Sequence, residues 1–403
     1  MAEPSPLDDG ALLSRLVAFD TTSRRSNLPL AEFVADYLDL PAARVAFHRS
    51  PDGTKANLLV RVGPALDARA EGAARPGLVL SGHMDVVPAE EAGWESDPFE
   101  LTDRGDRWVA RGSADMKGFL AVAANLAREA AARQLAAPLV LLFTYDEEVG
   151  TLGARHLVES WGEVEPEVGP LPRAAVIGEP TELKVVCRHK GHLKVRFDLT
   201  GRAAHSGYPH LGSNAIEAAG RVVVALSALR RELEGERVAS SDGFPEVPFA
   251  ALNVGVIEGG SAINVVPERC AVEVGVRLLP GMDGAPVAER LRAAAERAAD
   301  AEEPRAPVAT HVLSESPPLA VPAAAPIHGH LQRALGQGEE SGVAFATDAG
   351  WLQSLGLDCV LYGPGSISVA HKPNEYLPKG DLVAARRTLE GLIDHFCTRG
   401  EAA

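Results

Sequence analysis

The residues whose types and spacing could do chemistry are His83, Asp85, Asp115, Glu147, Glu148, Glu179 and His371. Most stand at or just past the end of an apolar run. Leu78-Val79-Leu80 precedes His83, Leu139 to Phe143 precedes Glu147-Glu148, and Ala174 to Ile177 precedes Glu179. Such runs read as buried strands, so their ends line one rim of a sheet. Carboxylates gathered at one rim repel unless a cation lies between them. Mixed with imidazoles, they point to a site for two divalent metal ions.

Two zincs roughly 3.5–4 Å apart form a clamp that activates a bridging water. Each ion needs about three protein ligands, one of them shared. His83 and Glu179 are expected to hold one ion, Glu148 and His371 the other, with Asp115 bridging. Three carboxylates, two dications and one hydroxide leave the cluster near neutral, which permits partial burial. Asp85 lies two residues past His83, on the same side of an extended chain, and is expected to hold the imidazole tautomer. Glu147 points away from its neighbour Glu148 and is expected to act as general base. Each residue alone has a plainer reading. A strand-end acid caps a helix or solvates a loop, Glu147-Glu148 makes a charged turn, and His371 is a surface histidine. Their joint occurrence carries the metal reading.

The elements that must position these groups follow from hydrophobic period. Asp9 to Phe19, Gly118 to Ala131 and a segment near Gly153 to Ser160 read as helices. Ala56 to Val62 adds a further buried strand, so the first part is an α/β layer with a largely parallel sheet. After Thr181 the pattern changes. His192 to Thr200 alternates, Asn214 to Leu233 is a long helix, and Leu252 to Ile257 and Ala271 to Leu278 alternate again. Helix Val287 to Ala299 and strand Val308 to Leu313 complete a βαββαβ order, a ferredoxin-like α+β unit. The α/β pattern resumes with a helix near Ile327, strand Cys359 to Tyr362 and a last helix near Leu382. The expected division is a catalytic domain over 1–187 and 315–403, interrupted by an inserted domain over 188–314, with Pro317 to Pro326 as return linker and 64–74 as a low-complexity loop.

At 403 residues, 46% of them hydrophobic, the chain can fill two cores. A net charge of −16 argues against nucleic acid or anionic membrane as partner. No apolar stretch is long enough to span a bilayer, and the N-terminus does not read as a secretory signal. Cys187, Cys270, Cys359 and Cys397 are scattered and match no zinc or redox spacing, which fits reduced thiols in a cytoplasmic protein.

The candidate residues sit in a series of words: Ser81-Gly82-His83-Met84-Asp85, Gly93-Trp94-Glu95-Ser96-Asp97-Pro98-Phe99, Arg111-Gly112-Ser113-Ala114-Asp115-Met116-Lys117-Gly118, Asp146-Glu147-Glu148 and Gly178-Glu179-Pro180-Thr181. In that order, over nearly the whole chain, they resemble the dinuclear-zinc amidohydrolase and peptidase family. His189-Lys190-Gly191-His192, Gly201-Arg202-Ala203-Ala204-His205-Ser206 and Ala370-His371-Lys372-Pro373-Asn374-Glu375 are most similar to its acetylornithine deacetylase branch, with succinyl-diaminopimelate desuccinylases sharing much of the pattern.

The resemblance implies two zinc ions per subunit, replaceable by cobalt or manganese, and a cis peptide after Asp115. It implies a homodimer formed through the inserted domain, which also serves as a lid. His205 would reach the partner subunit's site and donate to the oxyanion. Asn264 would face substrate, Arg277 would bind its carboxylate as a fork, and Gly363 and Gly365 would let the backbone approach it. Plainer readings stand beside these: turn residues for His205, Asn264 and the glycines, a salt-bridged strand residue for Arg277. The implied reaction is hydrolysis of an N-acyl amino acid, N2-acetylornithine first, to ornithine and acetate. The alternatives are a desuccinylase, another deacylase, an aminopeptidase, or a metal-free binding protein on the same fold.

Overall fold

The computed structural model describes residues 6–67, 75–301, 306–338 and 342–398. The N-terminal residues 1–5 and most of the 64–74 loop lie outside them. The chain forms two compact units. One comprises Met1–Cys187, Val321–Glu340 and Trp351–Ala403; the other, Arg188–Ala320 and Ser341–Gly350, interrupts it in sequence.

The first unit is built on a six-stranded sheet. Its order is Ala43–Arg49, Ala56–Val62, Leu139–Thr144, Leu78–His83, Ala174–Ile177 and Asp358–Leu361. The last four run parallel, and the first two are antiparallel additions at one edge. The four parallel strands are buried along their whole length, as expected where helices cover both faces. Each buried Leu or Val there contributes about 1.5–3 kcal/mol. Ser81 would offset that gain, but its hydroxyl donates to the Leu142 carbonyl at 2.8 Å. The register sets His83 opposite Thr144 and Ser81 opposite Ile177. Three chain segments therefore leave the sheet together, carrying His83, then Glu147-Glu148, then Glu179.

Helices Asp9–Val17, Gly118–Ala131 and Lys379–Ile393 pack together on this unit. Asp8 caps the first by accepting from the Ala11 amide at 2.7 Å. The second follows directly from the buried segment Ser113–Lys117 that carries Asp115. Helices Leu28–Tyr37 and Trp161–Val168 and strand Ala43–Arg49, none of them expected from the sequence, also belong to this layer.

The second unit is a four-stranded antiparallel sheet in the order Ala251–Gly259, Arg269–Leu278, Gly191–Thr200, Val308–Ser316. Helices Ala215–Gly235 and Gly284–Ala299 pack against it. Leu193, Val195, Phe197 and Leu199 point into this core and alternate with half-exposed residues. Asn214 and Asp283 cap the two helices through their side chains. The chain order is βαββαβ, with the first strand between the third and fourth. Within the stretch expected as a linker, Leu319–Ala320 pairs with Arg188–His189, so the chain enters and leaves this unit side by side.

Candidate metal centre

His83 ends its strand with its ring almost fully buried. Its Nδ1 lies 2.9 Å from the Asp85 carbonyl oxygen, which can only accept. Nδ1 therefore carries the proton, and Nε2 faces Asp115 Oδ1 at 3.1 Å. The other Asp115 oxygen lies 3.2 Å from His371 Nε2, and that nitrogen is 3.0 Å from Glu148 Oε1. One carboxylate thus faces two imidazoles through separate oxygens. Ligand atoms of His83, Asp115 and Glu148 all lie within 4.8 Å of one another.

The donor set fits divalent metal. Around a tetrahedral zinc with bonds of about 2.0–2.2 Å, ligand atoms sit roughly 3.3 Å apart, close to the spacings here. The electrostatics agree. Burial would lower the His83 pKa, but the hydrogen bond and charge of Asp115, with Asp85 and Glu147, raise it well above its ordinary value. Hydrogen bonds to Asp115 and Glu148 push His371 up to about 10. Burial works against an ionised Asp115, yet the two histidines hold it well below the usual carboxylate range. Burial and the Asp115 charge push Glu148 up. His83, His371 and Glu148 are shifted toward their protonated forms and Asp115 toward its ionised form, the pattern of a site whose clustered carboxylates draw positive charge to themselves.

Asp85 differs from expectation. Its carboxylate is 3.7 Å from His83 Nδ1, beyond hydrogen-bond range, and the tautomer is held by its backbone carbonyl instead. The carboxylate turns to the next loop. Oδ1 accepts from the Glu147 amide at 3.0 Å, and Oδ2 from the Glu148 amide at 3.3 Å and the Ser23 hydroxyl at 2.7 Å. Asp85 thus couples the two acidic segments through main-chain groups. The sequence reading missed Ser23, and also Lys55, whose ammonium pairs with Asp146 and donates to the Ser23 carbonyl. Ser23 stands between two helices and Lys55 just ahead of a strand, and nothing in their spacing links them to Asp85.

Glu179 is buried, two residues past its strand. Gly363 packs on the same segment: an added Cβ would lie 2.4 Å from the Gly178 carbonyl oxygen and 2.5 Å from that of Glu179. That contact accounts for this glycine without a substrate. Gly365 adopts φ +84°, the left-handed region, beside Ala114. The Asp115–Met116 peptide is cis, as the resemblance implied.

The other expected site residues belong to the second unit. His205 pairs with Val265, and the Ser206 amide donates to the Asn264 carbonyl at 2.9 Å, so Asn264, in the turn just before the strand Val265–Val266, lies beside His205. The Gly207 amide donates to His205 Nδ1 at 3.0 Å, so Nε2 is the donor nitrogen of this exposed ring. Arg277 stands opposite His192 in the sheet. Burial, then the Arg277 charge, pushes His192 down to about 3 and Lys190 down to about 8. Among the described residues no helix is long and apolar enough to cross a membrane.

Known proteins give the same picture. The peptidase family M20/M25/M40 matches residues 79–395. An acetylornithine deacetylase from Myxococcus xanthus is 37% identical over 397 residues, covering 96% of this chain and 97% of the relative. A second, from Edwardsiella ictaluri, is 35% identical over 95% of this chain and 94% of its own length. In fold, the chain is similar to an M20 family metallo-carboxypeptidase from Sulfolobus solfataricus, at TM-score 0.75 and 18% identity over 97% of this chain and 99% of that one. It is also similar to a dinuclear metal binding peptidase of the same family from Bacillus subtilis, at TM-score 0.61 and 16% identity over 95% and 97%. An acidic, imidazole-bearing rim on this sheet, matched along almost the full length by such relatives, has one reading: the chain belongs to the M20/M25/M40 peptidase family.

Proposed function

We propose that the protein hydrolyses the amide bond of an N-acyl amino acid, with N2-acetylornithine as first substrate, releasing acetate and ornithine. The observation that carries this reading is the placement of Asp115 between two imidazoles, 3.1 Å from His83 and 3.2 Å from His371. The deacetylase relatives at 35–37% identity supply the substrate class. His83, Asp115, Glu148, Glu179 and His371 would hold two zinc ions, which cobalt or manganese can replace. When bound, such ions supply Lewis-acid polarisation of the amide carbonyl and make water more acidic.

The chain's own groups do the rest. Glu147, its amide held by Asp85, takes the proton of the attacking water and returns it to the departing amine. Asp85 fixes the directions of Glu147 and Glu148 by gripping both amides. His205, with its proton on Nε2, donates to the oxyanion of the partner subunit's substrate. Arg277, already close enough to disfavour charge on His192, would take the substrate carboxylate. On this reading residues 1–187 and 315–403 form the catalytic domain, and 188–314 form the lid through which a homodimer assembles.

The deciding experiment is a deacylation screen with metal added back, over acetylornithine, succinyl-diaminopimelate, other N-acyl amino acids and a dipeptide. Acetylornithine should give the highest kcat/KM. A preference for the succinyl substrate or the dipeptide would reassign the reaction within the family. The role of His205 across subunits has its own test, mixing Glu147→Gln and His205→Ala subunits. Activity should return in the mixed dimer, and verified subunit exchange without recovery would remove it.

A further inference from the structure

One ion pair buried beside the metal centre belongs to none of the roles above. Arg111 and Glu375 are each about 1% exposed, and their side chains meet at 2.9 Å. A buried pair of this kind is weak evidence for stability, because desolvation offsets most of its attraction. Its partners are more informative. Glu375 Oε1 accepts from the Ala114 amide at 3.0 Å and the Asp115 amide at 3.1 Å. Arg111 Nη1 donates to the Lys372 carbonyl at 3.3 Å, one residue past His371. Arg111 Nη2 donates to the Pro88 carbonyl at 3.0 Å and to Glu91, on the loop that leaves His83 and Asp85. Three loops, bearing His83, Asp115 and His371, therefore converge on a single guanidinium–carboxylate pair.

The backbone around His371 needs such a hold. His371 and Asn374 both adopt positive φ, +61° and +59°, which side-chain-bearing residues rarely occupy unless their surroundings impose it. Between them the Lys372 carbonyl is fixed by Arg111. Asn374 is fixed in turn by donating to the Gly93 carbonyl at 2.8 Å and accepting from the Glu95 amide at 2.9 Å. His371 itself is 46% exposed, so packing does little to hold its ring.

We infer that Arg111 and Glu375 are positioning residues that set the spacing of His83, Asp115 and His371, and so set the affinity of the centre for divalent metal. This rests on the metal reading proposed above, but not on the identity of the substrate. The fork geometry of Arg111 is what spans the loops, so lysine should not replace it.

The test is zinc titration of the metal-stripped protein against a competing chromophoric chelator, with thermal unfolding of the zinc-free protein alongside. Glu375→Gln and Arg111→Lys should each weaken zinc binding about 10–100-fold. The zinc-free midpoint should stay within a few degrees of the parent in Arg111→Lys, which keeps the charge paired, and fall in Glu375→Gln, which leaves a buried guanidinium without its main carboxylate. Unchanged zinc affinity would overturn the inference. So would a fall in the zinc-free stability of Arg111→Lys as large as its loss of affinity, which marks a pair that merely holds the fold. Should Glu375→Gln not fold, Glu91→Gln decides, since Glu91 is 33% exposed and its loss removes one Arg111 anchor. A few-fold loss of zinc affinity is expected there, and none would refute the role. A parent that binds zinc tightly yet cleaves no N-acyl amino acid would sink the functional reading and leave this one standing.

Discussion

Two histidines on the same sheet have opposite fates. His83 and His48 are both buried, at 1% and 8% exposure. His83 meets carboxylates and is driven toward the charged form. His48 meets an amide, a hydroxyl and a second imidazole. The Asn57 side-chain amide donates to its Nδ1 at 3.1 Å, its Nε2 lies 2.8 Å from the Ser160 hydroxyl, and the His156 ring stacks on it at 4.2 Å. Burial, then the His156 charge, pushes His48 down to about 4. The His48 network closes on itself: Asn57 also donates to the Gly153 carbonyl, and Ser160 to the His156 carbonyl. Nothing there asks for an ion. Burial of a histidine thus does not mark a site; what marks it is whether its partners can be satisfied by protons they already share.

The widest separation between the two regions is catalytic. Glu147→Gln should retain metal but lose about 10³-fold or more in kcat, within the range for a general base. Robust turnover in that variant would remove Glu147 from the acidic region's chemistry. The next contrast is thermodynamic. Zinc at a thousand times its Kd should stabilise the protein by about 4 kcal/mol against denaturant. The shift should vanish in Asp115→Asn yet persist in His48→Gln. Loss of the shift in both variants would erase the distinction drawn between the regions.

Asp85→Asn should cost about 10–100-fold in activity or metal affinity through the loosened Glu147–Glu148 segment, measurable by the same chelator competition. The neutral region predicts a pH effect of its own. The folded pKa of His48, about 4, lies below its ordinary 6.5, so the unfolded chain binds more protons in between. Stability is fully present above 6.5 and falls as pH drops toward 4, by roughly 1–3 kcal/mol after allowance for solvent screening. Urea unfolding at pH 7 and pH 5 should show a smaller drop in His48→Gln than in the parent; equal drops would place the titration elsewhere. Smallest of all, Ser160→Ala should cost about 1 kcal/mol at pH 7.

Of the proposed metal ligands, His83, Glu148 and Glu179 were legible as candidates because each lies at or just past the end of a fully apolar strand, whereas Asp115 and His371 stand in polar words and were picked out only by the company they keep. The Asp85 carboxylate was misjudged because side-chain alternation along an extended segment says nothing about competing amides from a distant loop. Arg111 and Glu375 were in plain view within two of the recognised words, yet burial of a charge pair leaves no local trace. Helix Leu28–Tyr37 escaped because its N-cap signal is spent elsewhere: the Asn27 side chain bonds both backbone groups of Ala56 rather than its own helix. Strand Ala43–Arg49 escaped because it is a half-exposed edge, where charged residues interrupt the apolar pattern. The main βαββαβ elements of the second unit were readable, since alternation along Gly191–Thr200 and two side-chain caps leave little to tertiary context, whereas the short pair Leu319–Ala320 with Arg188–His189 depends on distant partners and was read as linker.

The strand Asp358–Leu361 joins the sheet beside Ala174–Ile177, which precedes it by roughly 180 residues. At about 5–20 residues per second, a ribosome needs on the order of ten to forty seconds to make that stretch. Throughout that interval the nascent sheet has an open edge and lacks His371. On the proposed ligand set the centre therefore cannot be complete on a half-made chain, because His371 follows the strand that closes the sheet.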